Sequence, residues 1–306
     1  MSFAQLKRNS GAAGLKKLTE EVEKLSSSQN QKENDERFWR PTLDKSGNSR
    51  ATIRFLPPTD GESIPWVKLF SHAFKGPNGS WYIENSLTTL GQKDPVGDYN
   101  SQLWNSGIEA NKEIARKQKR KLSFISNILV VKDPANPENE GKVFLFKFGK
   151  KIFDKINDVM HPDNTGLEED DSDFKKSVNP FDLWEGANFK LRVGQVEGYA
   201  NYDKSEFGVT GAAVEGGDAA LEELWKKQYK LEEFIAPSNF KSYDDLKARF
   251  EKVIGATPAE FRTVAEQETQ PAPVGKTQPE PEGKTESSET SSDDSDDLSF
   301  LQGLVD

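Results

Sequence analysis

At 306 residues, with 34% hydrophobic and 30% charged residues and a mean hydropathy of -0.78, the chain is long enough for one large domain or two ordinary ones, but too polar for all of it to enter a folded core. It has no cysteine and only two histidines, His72 and His161; this excludes disulfides and thiolate chemistry, while the absence of any apolar run of about 18 residues leads us to expect a soluble, intracellular protein with no membrane partner. The net charge is -10, yet Glu266 to Asp306 holds eleven acidic residues against Lys276 and Lys284, a net of -9 that leaves about -1 for everything before it, so an acidic whole can still carry a basic surface.

In chain order, residues 1–35 read as a basic and then amphipathic arm, with Lys7 and Arg8 ahead of Leu15, Leu18, Val22 and Leu25 at near-helical spacing. From Phe38 to about Glu197 short strands are predicted at Ala51–Leu56, Trp66–Phe74, Ser80–Ile83, Leu122–Val131, Lys142–Phe148 and Asn188–Val196, with Gly76-Pro-Asn-Gly79 as a turn. Strands in such a series favour a barrel. Helices are predicted over Lys151–Met160 and Ser242–Ile254, the second closed by Gly255 and opened by a Ser242/Asp245 pair resembling a capping box. The last segment, 263–306, is Pro, Gln, Glu, Thr and Ser and is expected to stay unfolded, apart from a docking tip of Leu298, Phe300, Leu301, Leu304 and Val305 beside Asp293, Asp294, Asp296 and Asp297.

The densest basic run is Lys112 to Lys121, where Lys112, Arg116, Lys117, Lys119, Arg120 and Lys121 outweigh Glu113. Taken alone such a run is often a solvated helix face. Here it leads into a strand and has aromatic company: Trp81 and Tyr82 upstream, Phe124, Phe144, Phe146 and Phe148 on nearby strands, Tyr199 and Tyr202 downstream. Cations that hold phosphates and rings that stack on bases of any identity are what sequence-independent binding of single strands requires. Strand alternation puts Phe144, Phe146 and Phe148 on one face, so at least half of them are expected in the core, whereas Tyr199 and Tyr202 are expected to be exposed. No phosphate-cradling Gly-rich motif, nucleophile elbow or paired His and nucleophile occurs. The chain is therefore not expected to be an enzyme. Acidic pairs such as Asp170-Asp171 and Asp244-Asp245 offer carboxylates to Mg²⁺, although adjacent carboxylates are usually solvated surface.

Several segments resemble the helix-destabilising single-stranded DNA-binding proteins of T-even-like tailed phages: Asn127-Ile-Leu-Val-Val-Lys-Asp-Pro-Ala, Pro137-Glu-Asn-Glu-Gly-Lys-Val-Phe, and Phe148-Gly-Lys-Lys-Ile-Phe-Asp-Lys-Ile-Asn157. Ile53–Pro57, Trp81–Glu84, Trp184–Phe189 and Asn201–Asp203 add to them. The resemblance implies an OB-fold core over 36–262 with a small subdomain around 66–110, a self-association arm in which Lys7, Arg8, Asn9 and Ser10 match the family's basic cluster, and an acidic tail that recruits replication proteins such as polymerase, primase, helicase and helicase loader. Lys119 to Ser123 matches a second basic cluster. The DNA trough would fall on Phe124, Phe146 and Tyr202, with Arg54 at a phosphate. The family's zinc is held by one His and three Cys; His72 matches the histidine, but Ser86, Asp94 and Gly97 stand where thiolates would be, so no zinc or other cofactor is expected.

The reading is thus a mainly β protein with some helix that coats single-stranded DNA cooperatively in replication, recombination and repair, in the host cytoplasm at viral replication sites. Two rivals are an RNA-binding regulator, because stacking and phosphate contacts do not read the sugar, and a Mg²⁺-dependent nuclease using Asp170 and Asp171.

Overall fold

The computed structural model describes residues 35–169, 171 and 174–255. The chain divides at Trp39, and of the first unit only residues 35–39 are described, where the Arg37 guanidinium grips the Asp35 carboxylate at 2.7 Å. The N-terminal arm and the acidic tail singled out in the sequence lie outside the described residues.

The second unit is built on eight strands, β1 Ser49–Phe55, β2 Val67–Lys75, β3 Trp81–Asn85, β4 Lys121–Lys132, β5 Val143–Phe148, β6 Ala187–Val196, β7 Tyr199–Asn201 and β8 Glu206–Thr210, with five α-helices among the described residues: α1 Pro95–Asn105, α2 Glu109–Lys117, α3 Lys150–Met160, α4 Gly217–Lys226 and α5 Tyr243–Ile254. The strands run antiparallel in the order β3-β2-β4-β1-β6-β7, with β5 on β4 and β8 on β6. The sheet curls into an OB-like half-barrel. Its spine is β4, buried without a break from Ser123 to Val130 even where Ser126 and Asn127 interrupt its Phe, Ile, Leu and Val residues, as in a strand covered on both faces. One edge of β4 carries β2 and then β1; the other carries β5, so that Phe124 faces both Lys68 and Phe148 across the ladders.

Alternation along these strands separates two cores. On one side Phe55 sits among Phe148, Phe181, Phe189, Phe207 and Phe146, with ring centroids 5.5 to 6.5 Å away. The opposite side packs Leu56, Leu129, Val143 and Leu183 against Leu221 and Leu224 of α4. A third cluster, Phe74, Tyr82, Val96, Phe250 and Val253, joins the far half of β2, β3, α1 and α5.

The expected strands, the turn at 76–79 and helices α3 and α5 are found. Ser242 caps α5 through the Asp245 N–H, and Gly255 ends it with a left-handed φ of 71°. Helices α1, α2 and α4 and strands β7 and β8 were not anticipated. Helix α1 opens where the Asp94 carboxylate accepts the Val96 and Gly97 N–H groups and Pro95 takes the first position, whose N–H would have no partner.

Candidate nucleic-acid interface

The basic run does not lead straight into a strand. Its first part is helix α2, its middle a turn at Gln118–Arg120, and only Lys121 begins β4. This geometry sorts the cations. Glu109 and Glu113 lie two turns and one turn back from Arg116, so Arg116 pairs with both, with the Glu109 carboxylate at 2.8 Å, and Lys112 approaches Glu109 at 3.7 Å. The Arg116 hydrogen bond holds the Glu109 carboxyl below its ordinary value, and Glu109 raises Arg116 in turn. Lys117, Lys119 and Arg120 are exposed and form no ion pair among the described residues.

Two rings that the sequence reading passed over lie among these cations. Phe70 on β2, half-buried, has the Arg120 guanidinium 4.9 Å and the Lys68 ammonium 5.1 Å from its ring centre. Trp104 on α1 is 49% exposed, with Arg116 at 5.3 Å and Lys112 at 5.8 Å. The cation–π contacts fix the cations beside the rings. A base stacked on either ring would find positive charge next to its phosphate. Lys68 and Phe70 share a strand face by alternation, which was a readable signal. Trp104 carried none, because α1 itself was not anticipated.

The other residues expected to bind are dispersed. Arg54 is 1% exposed, and its Nη2 donates to the carbonyls of Asp182 and Gly211, each at 2.7 Å, while Nη1 reaches Asn188 Oδ1 at 3.5 Å. Burial lowers its pKa, with the Asp182 charge opposing. This corrects the phosphate-contact expectation: Arg54 ties β1 to the loops before β6 and after β8. Phe124, Phe146, Tyr82 and Tyr202 are buried as well. Phe124 stacks on Phe153 at 4.0 Å with planes 4° apart, Phe146 on Phe148 at 5.5 Å, and Tyr82 on Phe74 at 5.2 Å. Their faces are taken by protein, so none is an open platform here, and the exposure expected for Tyr202 is corrected too. Trp81 and Tyr199 are exposed, 46% and 42%, but lie on β3 and β7, the two ends of the strand order. Neither joins the basic run.

A second cationic group lies on β1 and β6, where Arg50 stands directly opposite Arg192. Both are exposed, but the neighbouring positions Thr52, Lys132 and Lys190 provide no ring. Of the carboxylates considered for Mg²⁺, Asp245 is engaged with Ser242 at the cap of α5, and Asp170 lies outside the described residues. Among the described residues no cluster of three metal-ligating side chains occurs.

A curled OB-like sheet with exposed cations set beside a half-buried Phe70 and an exposed Trp104 defines a nucleic-acid-binding module. Residues 47–254 match the family model described as gp32 DNA binding protein like, and the chain belongs to that family, one of binding proteins and not of enzymes. It is 43% identical over 229 residues to the "Single-stranded DNA-binding protein" of Enterobacteria phage T2, covering 72% of this chain and 71% of the relative. It is 41% identical over 246 residues to the protein of the same name from Enterobacteria phage T4, covering 78% and 77% respectively.

The Phe70 ring is the part of the seam that charge alone does not explain. Phe70→Ala is expected to weaken binding of a single-stranded oligonucleotide by about 1–2 kcal/mol, roughly 10-fold, with the salt dependence nearly unchanged, because stacking releases no counterions. Fluorescence anisotropy at several salt concentrations checks both parts.

Proposed function

We propose that this chain binds single-stranded DNA without reading sequence, along the seam where β2 and β4 meet α1 and α2. The observation that carries this is the Lys68–Phe70–Arg120 group running on into Lys117 and Lys119, in a chain whose relatives are named for that ligand. Cations supply affinity through counterion release, and exposed rings accept any base. Binding that prefers the single strand also lowers duplex melting by mass action, with no nucleotide hydrolysis.

We extend the reading to a cooperative coat in phage replication, recombination and repair in the host cytoplasm. Lys7, Arg8, Asn9 and Ser10 resemble the basic cluster followed by hydroxyl residues to which the family resemblance assigns self-association, and the Leu298, Phe300 and Leu301 tip beside Asp293, Asp294, Asp296 and Asp297 is suited to docking polymerase, primase, helicase or a helicase loader. The tail's net -9 also competes with phosphates for Lys117, Lys119 and Arg120. Deleting residues 266–306 should therefore raise affinity several-fold at low salt and hardly at all at high salt, where screening removes the competition.

The test of the central reading is a competition among matched single-stranded DNA, single-stranded RNA and duplex DNA. Preference for single-stranded DNA is expected; a strong RNA preference would turn the reading into its RNA-binding rival.

A further inference from the structure

Next to the basic run lies a buried polar knot whose side chains are not among the exposed cations and rings described above. His72 of β2 places Nδ1 3.0 Å from the Gln118 carbonyl oxygen and Nε2 3.1 Å from Asp94 Oδ1, and both side chains are 2% exposed. The Val96 and Gly97 N–H groups donate to Asp94 Oδ1, each at 3.1 Å; the Ser86 hydroxyl at 2.8 Å and the Leu87 N–H at 3.2 Å donate to Oδ2. Four donors around one carboxylate are the surroundings of an anion. Burial pushes the Asp94 carboxyl up, but the bonds from His72, Ser86 and Gly97 outweigh it and hold it at about 2.

Donor and acceptor counting then fixes the protons. A backbone carbonyl only accepts, so Nδ1 carries hydrogen. Nε2 faces a carboxylate oxygen, and two acceptors do not bond without a proton between them. Because four other donors keep Asp94 an anion, that proton sits on Nε2 and points at Oδ1. The ring has no lone pair left for a metal ion.

The resemblance calls for zinc at this place, and the residues do not fit it. The chain has no cysteine, both ring nitrogens of His72 are engaged, and each Asp94 oxygen already accepts several hydrogen bonds. The knot also reaches the interface. The Gln118 carbonyl accepts from His72 and, at 3.1 Å, from Asn100 Nδ2 of α1, so two elements converge on the one buried residue between Lys117 and Lys119.

We propose that His72 and Asp94, joined through the Nε2 proton, close this part of the fold without metal and act as positioning residues that hold Gln118 and thereby aim Lys117, Lys119 and Arg120. The aiming rests on the single-stranded DNA reading; the Nε2 proton and the metal independence do not.

Because His72 and His161 are the only histidines, ring-nitrogen NMR of the full chain reads His72 directly. At neutral pH without metal, both His72 nitrogens are expected to show the protonated signature, unchanged by stoichiometric zinc chloride, and no zinc should survive dialysis. An unprotonated His72 nitrogen, or one zinc retained per chain, overturns the metal-free pair.

Asp94→Asn removes the anion that the Nε2 proton points at and should leave His72 with a single N–H. In a variant that still melts cooperatively, affinity for oligothymidylate at low salt should fall about 10-fold, with a salt slope shallower by about 0.7 or more, as when at least one phosphate is no longer held. Asn100→Ala, which leaves the pair intact, should show the same change in smaller measure. A folded Asp94→Asn or Asn100→Ala chain with the full wild-type slope overturns the aiming. Wild-type chain that shows the NMR signature yet binds no oligothymidylate overturns the DNA reading and leaves the pair standing.

Discussion

Replacing Lys117, Lys119 and Arg120 together with alanine should lower affinity for single-stranded DNA by about 10²–10³-fold near 50 mM salt and leave it almost unchanged near 1 M. Each phosphate neutralised on a single strand adds about 0.7 to the slope of log K against log salt, so removing three cations should make the slope shallower by about 2. The choice of residues follows from geometry. These three cations are exposed and unpaired among the described residues, whereas Arg116 is held by Glu109 and Glu113. Arg116→Ala removes a charge already largely neutralised and should change the slope by less than any one of the three. Titrations at four or five salt concentrations decide; an unchanged slope in the triple variant would mean that phosphates bind elsewhere.

Arg54→Ala should act on stability and not on binding. The side chain is 1% exposed and donates twice from Nη2 to carbonyls at 2.7 Å. Truncation leaves the Asp182 and Gly211 carbonyls short of a donor inside the protein and opens a cavity, for a loss of about 3–4 kcal/mol. At about 2–4 °C per kcal/mol for a domain of this size, Tm falls by about 10 °C. The packing around the guanidinium admits little adjustment, since a Cβ on Gly186 would stand 2.4 Å from the Asp182 carbonyl oxygen and 2.7 Å from Arg54 Nη2. Below its melting range the variant should bind oligothymidylate as the wild type does. A normal Tm with a shallower salt slope would restore Arg54 as a phosphate ligand.

The strands were legible because their patterns are strong: the apolar run of β4, the alternation of β5 and β6, and the glycines flanking the 76–79 turn all agree with their local geometry. Helix α2 was not, for a physical reason. In Glu-Ala-Asn-Lys-Glu-Ile-Ala-Arg-Lys only Ala115 is buried and Ile114 is exposed, so no apolar stripe marks it. What supports it instead are Glu109 and Glu113 beside Arg116 and cations in the last turn, where the helix dipole favours them. The Asp94-Pro95 start of α1 is a readable helix signal, a capping carboxylate followed by proline at the first position.

The site was half legible for a related reason. Alternation says which residues share a face, not how much of that face is covered. Phe70, Leu122 and Phe124 share one face across β2 and β4, yet Phe153 and Phe148 cover Phe124, while only side chains with charged ends, Lys68 and Arg120, lie over Phe70. That difference is decided by where α3 packs, which lies far along the chain. The cations were found because charge density is local in sequence. The rings that accompany them come from β2 and α1 and meet the basic run only through the fold.

The most direct measurement of the central claim is photo-crosslinking of the full chain to single-stranded DNA carrying a photoreactive thymine analogue, with the modified residues mapped by mass spectrometry. Crosslinks should concentrate at Phe70 and Trp104, fade as salt is raised, and drop sharply in the Lys117, Lys119 and Arg120 triple variant. Crosslinks confined to the surface around Arg50 and Arg192, or to Trp81 or Tyr199 at the ends of the sheet, with none at Phe70 or Trp104, would contradict the seam as the DNA path.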